Sequence, residues 1–255
     1  MSVLSIKRES YEVNIVETQE ISLREPLVIL GFAGAGLVGG IAVTHIIDQL
    51  KIKEIAHVQS RYISNAVVFI DGKLRQPFRI YSSEEGTLCA VVCEIPLPSD
   101  SLYPITQALL DWAEQKGVKE LVVLEGVAFK DVPEKREVFC VAEPEKCTEC
   151  EERGVRMLSA GVIGGLAGSM LNATLERKIT GVALLVPALP HLPDPEGASA
   201  LVDTLNKLYS LNVGIEDLLK KVAEIKGKLR EVAERHRRMV EAEEKRGESE
   251  RLYVA

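Results

Sequence analysis

Short apolar runs alternate along the chain with longer stretches in which apolar residues recur three and four positions apart. Leu27–Phe32 (LVILGF) reads as a buried strand, followed by glycines and a helical stretch, Leu37–Leu50. Glu54–Ser60 reads as a second strand. Ala66–Ser82 holds two strand-like runs about Asp71-Gly72, a dipeptide that favours a tight hairpin. Leu88–Ile95 (LCAVVCEI) is a further apolar run, closed by Pro96 and Pro98. In Ser101–Lys116 the residues Ile105, Leu109, Trp112 and Ala113 share one helical face, and Gly117 supplies the stop. Glu120–Phe129 (ELVVLEGVAF), Glu137–Ala142 and Thr180–Pro187 (TGVALLVP) read as strands, Ile163–Lys178 and Ala198–Leu211 as helices. Strands apolar on both faces that alternate with helices predict an α/β fold: a mostly parallel sheet with helices on both faces and a hairpin inserted after the second strand. Residues 187–197 (PALPHLPDPEG) carry four prolines and read as an ordered surface loop.

The pattern changes after this body. Leu218, Val222, Ile225, Leu229, Val232, His236 and Met239 are spaced 4-3-4-3-4-3, the repeat of a coiled-coil seam. A long C-terminal helix with these heptads, from about Ile215 to Arg246, would extend ~45–50 Å at 1.5 Å per residue. The expected organisation is an α/β body over 1–214, a helical stalk over 215–248 and a flexible docking tail over 249–255. About three heptads need a partner, either another copy of the stalk or the body's own surface.

Charge follows the same division. Of 255 residues with a net charge of −7, residues 216–251 hold 11 Lys/Arg and 10 Asp/Glu, which leaves −8 on the rest. The stalk is nearly neutral because its charges solvate a striped helix. An acidic body argues against a general nucleic-acid binder, which needs cations to displace phosphate counterions. No apolar run reaches the 18 or so residues needed to cross a bilayer. MSVLSIKRESYEV lacks the apolar core and cleavage site of a signal peptide. Five cysteines, an odd number without framework spacing, fit reduced thiols in a cytoplasmic protein.

Chemistry-bearing motifs are few. Gly34-Ala35-Gly36-Leu37-Val38-Gly39 has the G-x-G-x-x-G form between a strand and a helix, as in dinucleotide-binding proteins. The acidic residue expected at the end of the next strand is replaced by Gln59 and Ser60, so close packing of helix on sheet is the better reading. Gly161, Gly164, Gly165 and Gly168 form a second cluster. The two clusters either pack helices closely or rim a shared pocket, with Gly34, Gly36, Gly164 and Gly165 as its residues, where open α/β sheets place ligands. Cys147-x-x-Cys150 lies in a Glu/Lys-rich stretch and reads as exposed thiols or a stabilising disulfide. Cys89 and Cys93, on one face of a strand, read as core residues. His191 and Asp194 stand three apart in the proline loop, where a bracing hydrogen bond is the common outcome. No nucleophile is matched with a base, and nothing specifies a cofactor or a metal. The chain ends Glu250-Arg251-Leu252-Tyr253-Val254-Ala255, an apolar aromatic tip that is either captured by a pocket or frayed.

An ordered set of these residues resembles a known family. It comprises Gly31-Phe32-Ala33-Gly34-Ala35-Gly36-Leu37-Val38-Gly39, the Trp112 helix followed by ELVVLEGVAF, Gly161-Val162-Ile163-Gly164-Gly165-Leu166-Ala167-Gly168, and Pro193-Asp194-Pro195 leading into a helix. Together they are similar to the proteasome assembly chaperone 2 family, in particular its archaeal homologues, over roughly residues 10–210. The resemblance implies a phosphorylase/hydrolase-like α/β fold without catalysis. It further implies homo-oligomers that bind 20S proteasome α-subunits through a C-terminal hydrophobic-Tyr-any signal, whose carboxylate meets a pocket lysine. Leu252 and Tyr253 take the first two places. Both Val254 and Ala255 follow the tyrosine, which displaces the carboxylate by up to ~3.5 Å from the family pattern. The alternative to such an adaptor is a small-ligand enzyme, binding nucleoside or phosphate between the two glycine clusters.

Overall fold

The computed structural model describes residues 13–19, 22–63, 66–70, 72–133 and 135–220. Its body is a nine-stranded sheet in the order β1-β3-β6-β7-β2-β8-β11-β9-β10, with a separate two-stranded ribbon, β4-β5. The strands are β1 (Val13–Glu17), β2 (Leu27–Gly31), β3 (Lys53–Ser60), β4 (Val68–Ile70), β5 (Lys73–Arg75), β6 (Phe78–Ser82), β7 (Leu88–Cys93), β8 (Glu120–Ala128), β9 (Phe139–Ala142), β10 (Arg156–Met157) and β11 (Thr180–Ala188). The helices are α1 (Val38–Leu50), α2 (Leu102–Gln115), α3 (Pro144–Glu152), α4 (Gly165–Thr174) and α5 (Pro195–Tyr209).

The four central strands, β7-β2-β8-β11, are parallel, as strands apolar on both faces require. On one side β6, β3 and β1 continue the sheet antiparallel, and on the other β9 runs antiparallel to β11. The sheet is therefore mixed, with its parallel part in the middle. The reason is connection length: residues 83–87 join β6 to β7, too few for the crossover a parallel neighbour needs. The run Ala66–Ser82 resolves into the hairpin β4–β5 about Gly72 and a third strand, β6, that joins the main sheet.

Side-chain alternation splits the core into two layers. Val28 and Leu30 of β2 pack with Leu121 and Val123 of β8 against Ile105, Leu109 and Trp112 of α2 and Met170 of α4. That cluster contains no residue of α1 or α5. These two helices pack on each other, and Val43 and Ile46 of α1 and Leu201 of α5 are buried there. Trp112 donates its indole N–H to Glu17 Oε1 at 3.0 Å, and Lys116 pairs with the same atom at 2.7 Å, fastening β1 to α2. Arg177, just after α4, reaches Asp111 at 2.8 Å and Glu114 at 2.9 Å on α2.

The first glycine cluster serves close packing, as its pattern suggested. A Cβ on Gly39 would overlap the Leu124 carbonyl oxygen of β8, and one on Gly31 would overlap the Gly39 carbonyl. The second cluster differs. Around Gly161, Gly164 and Gly165 there is open space, and only Gly168 of that set is pressed against backbone, at Ile163.

By contact density the chain divides into two units, Met1–Ile215 and Glu216–Ala255. Residues 216–220, which include Leu218, are helical. The heptad positions Val222, Ile225, Leu229, Val232 and Met239, His236 among them, and the segment Leu252, Tyr253, Val254 and Ala255 lie outside the described residues. No helix among the described residues is long and apolar enough to cross a membrane.

Candidate functional site

A change of direction at the middle of the sheet opens a cleft. The chain leaves β2 into α1 on the α5 side, and leaves the adjacent β7 into α2 on the α4 side. Neighbouring parallel strands whose connections diverge to opposite faces leave a crevice beyond their C-terminal ends. Here the crevice is about 1050 Å³. The segments after β2 and β7, the end of β8 and the glycine-rich stretch that leads into α4 form its walls.

Gly34, Gly164 and Gly165 all line this cleft, so the structure brings both glycine clusters to one place. Gly36 stands apart. It turns with φ 64° beneath Ala188 and Asp194, and its carbonyl accepts the Asp194 N–H at 2.8 Å.

Sequence reasoning passed over the residue with the most chemistry in the cleft, Glu125. It sits half-buried near the end of β8, and its Oε1 accepts the Gly126 N–H at 3.2 Å. A Cβ on Gly34 would run into that same oxygen, so this glycine is what leaves room for the carboxyl. Burial pushes the carboxyl up to about 7, while the one backbone hydrogen bond pulls weakly the other way. No other ionisable side chain is present among the described lining residues. The signal was in the sequence: Glu125 is the single charge inside the apolar run LVVLEGVAF.

Asp194 has a structural task. It caps α5 by accepting the Gly197 N–H at 3.0 Å and pairs with Arg136 at 3.1 Å, both side chains being nearly buried, 3% and 7% exposed. Arg136 also donates to the Pro133 carbonyl. His191 is exposed, and the carboxylate of Asp194 is spent on Gly197 and Arg136. His45 is a core histidine, 2.6 Å through Nε2 from the Gly214 carbonyl.

The cysteines correct one expectation and bear out another. Cys147 and Cys150 are buried, not exposed, because they form the inward stripe of α3, a helix the charged sequence concealed. Cys150 Sγ lies 3.1 Å from Cys140 Sγ on β9, and Cys147 donates to the Ala142 carbonyl at 3.2 Å. All five cysteines are free thiols. No cluster among the described residues is fit to hold a metal. Cys89 and Cys93 are core residues, and burial pushes their thiols up to about 12 and about 11.

The fold is thus a mixed α/β sheet between two helix pairs, α1–α5 and α2–α4, with a cleft of about 1050 Å³ where the connections diverge. The PAC2 family model matches residues 28–233, and the chain belongs to that family. It is similar to the solved structure of Pyrococcus furiosus PbaA, an archaeal homologue of proteasome-assembly chaperone, at 28% identity and TM-score 0.81, covering 92% of this chain and 95% of that one. A protein of unknown function from Thermoplasma acidophilum is 33% identical with TM-score 0.75, over 88% of this chain and 92% of that one. An uncharacterised protein of Methanocaldococcus jannaschii is 29% identical over 228 residues, 89% of this chain and 94% of its own length.

Proposed function

We propose that the protein is a non-enzymatic adaptor in proteasome assembly or activation, which acts as a cytoplasmic homo-oligomer and docks on 20S proteasome α-subunits. The observation that carries this reading is the likeness to Pyrococcus furiosus PbaA over nine-tenths of both chains. The docking element is the segment Leu252-Tyr253-Val254-Ala255, carried on a coiled-coil stalk with Leu218, Val222, Ile225, Leu229, Val232 and Met239 along its seam. Gathering several copies raises avidity for a ring of repeated subunits without any new contact.

The test is a pull-down of intact 20S proteasome and of free α-subunits by the full chain and by a chain lacking Leu252–Ala255. Capture by the full chain and loss of capture on truncation support the reading; equal capture by both sinks the docking element.

The second reading, a nucleoside- or phosphate-binding enzyme, is favoured by the size of the cleft. Its described lining nevertheless offers a phosphate no Lys, Arg or His side chain. Calorimetric titration with inorganic phosphate, adenosine and guanosine is expected to give no binding heat.

A further inference from the structure

The cleft carries chemistry that an adaptor role leaves unused. Its floor holds one carboxyl group, Glu125, whose only hydrogen bond among the described residues is from the Gly126 N–H. The second oxygen, Oε2, has no such partner, and no cation among the described residues pairs with the group. Around it the segment after β2 (Phe32), the segment after β7 (Ile95, Leu97) and β11 (Leu185) present apolar side chains, and the neutral polar groups of the lining are Ser99, Ser159 and Asn172. Neither these segments nor β9, α4 or residues 158–165 turn another ionisable side chain toward it.

The mouth is apolar as well. Val127, Leu158, Val162 and Leu175 line the cleft and are 38%, 40%, 99% and 65% exposed. Such a concentration of uncovered aliphatic side chains about a concavity with a few polar groups, one of them ionisable, is the usual make-up of a small-molecule site. The charge of the anchor selects the ligand. A carboxylate in low dielectric without a counter-charge is stabilised by a cation within about 4–6 Å, whereas an anion gains nothing and is repelled.

We propose that this cleft binds a small organic cation, an apolar body bearing a primary ammonium or amidinium group that pairs with the Glu125 carboxylate. The nitrogen donates to Oε2, the oxygen left free by Gly126, and the apolar body lies under Val127, Leu158, Val162 and Leu175. Gly34 belongs to the site because its missing side chain is the space in which the carboxyl sits.

Binding requires the ionised carboxylate, and burial holds that group's titration near 7. Between pH 6 and pH 8 the ionised fraction rises about tenfold, and the affinity for a permanently charged ligand rises with it. The experiment is calorimetric titration of the full chain at pH 6, 7 and 8 with phenethylamine and benzamidine, with phenethyl alcohol as the uncharged match. The expected result is binding of at least one of the two cations, about tenfold tighter at pH 8 than at pH 6, and at least tenfold weaker binding of the alcohol at pH 8. In Glu125→Gln, which keeps the shape and removes the charge, affinity for the cation falls at least tenfold and its pH dependence disappears. Thermal melting of the variant checks that it is folded. Should E125Q unfold, the amine-to-alcohol preference and the pH trend of the unaltered chain decide alone. Failure of both cations to bind at millimolar concentration, alcohol binding as tight as amine binding, or affinity flat with pH each overturns the proposal. Capture of proteasome α-subunits reads the adaptor function separately and is expected to be unchanged in E125Q.

Discussion

At the scale of single residues, Glu125 makes a measurable demand on the fold. Its carboxyl titrates near 7 when folded and near the ordinary 4.5 when unfolded, so the folded chain holds the extra proton between those values. Where the folded state binds more protons, stability falls as pH rises. The stability associated with the protonated group is thus fully present below about pH 4.5, is lost through the window up to about pH 7, and is level above it. The loss is roughly 3 kcal/mol for a shift of this size. Urea unfolding of the unaltered chain and of Glu125→Gln at pH 5 and pH 8 isolates it, because other groups titrate equally in both. The variant is expected to gain on the unaltered chain by that amount at pH 8; equal pH dependence in the two would place the carboxyl in an ordinary, solvated state. A contrast between two glycines follows from the same geometry. In Gly34→Ala the methyl meets the far end of a flexible side chain, which can rotate away, whereas in Gly39→Ala it meets the Leu124 carbonyl of β8, which cannot. Overpacking against fixed neighbours costs about 1–3 kcal/mol. G39A is expected to lose that much or more in denaturant midpoint analysis, while G34A stays near the unaltered chain and displaces Glu125.

At the scale of elements, the start of α5 depends on one buried pair. Asp194 satisfies the otherwise unpaired Gly197 N–H and neutralises Arg136, which ties the segment before β9 to α5. Removing one member of a buried pair leaves the other charge without compensation, at about 3–5 kcal/mol. Asp194→Ala is expected to lose stability in that range, and Asp194→Asn, which keeps a capping oxygen, less. Equal stability of D194A and the unaltered chain by urea unfolding would remove the pair from the framework of the fold. The same residue shows what a sequence discloses. The apolar pattern begins this helix at Ala198 and leaves 187–197 as loop, whereas α5 begins at Pro195. A capping carboxylate and a proline in the first turn are local signals there, and they agree with the Pro193-Asp194-Pro195 of the family resemblance. The central strands were legible for a similar reason: each is an apolar run bounded by glycine or proline. Three elements were not. In β1, VNIVE, half-buried residues at the sheet edge weaken the alternation. In α3, PEKCTECEE, the buried stripe is only Cys147 and Cys150 on a charged background. β10 is two exposed residues whose pairing with Phe139 and Cys140 no local pattern encodes. Glu125 escaped because an apolar run was read as strand, and the exception inside it was averaged away.

At the scale of the whole molecule, the proposed homo-oligomer raises the question of which part of the chain holds its copies together. The body owns a two-layer core, and near its end His45 Nε2 meets the Gly214 carbonyl. The proposed heptad seam after Ile215 would gain its stability by burial against a partner helix. Removing residues 216–255 therefore tests which part holds copies together. The expected outcome is that the shortened chain keeps the near-ultraviolet circular dichroism of buried Trp112 and falls in sedimentation from an oligomer to a monomer. An oligomer that survives the deletion would assign self-association to the body and leave the stalk as a spacer alone. The mass also bears on docking, since a tail presented in one copy binds with its intrinsic affinity and loses the gain of multivalent display. A shortened monomer carrying Leu252–Ala255 rejoined through a flexible linker would then capture proteasome α-subunits more weakly than the full chain, which separates what the tail recognises from what the oligomer adds.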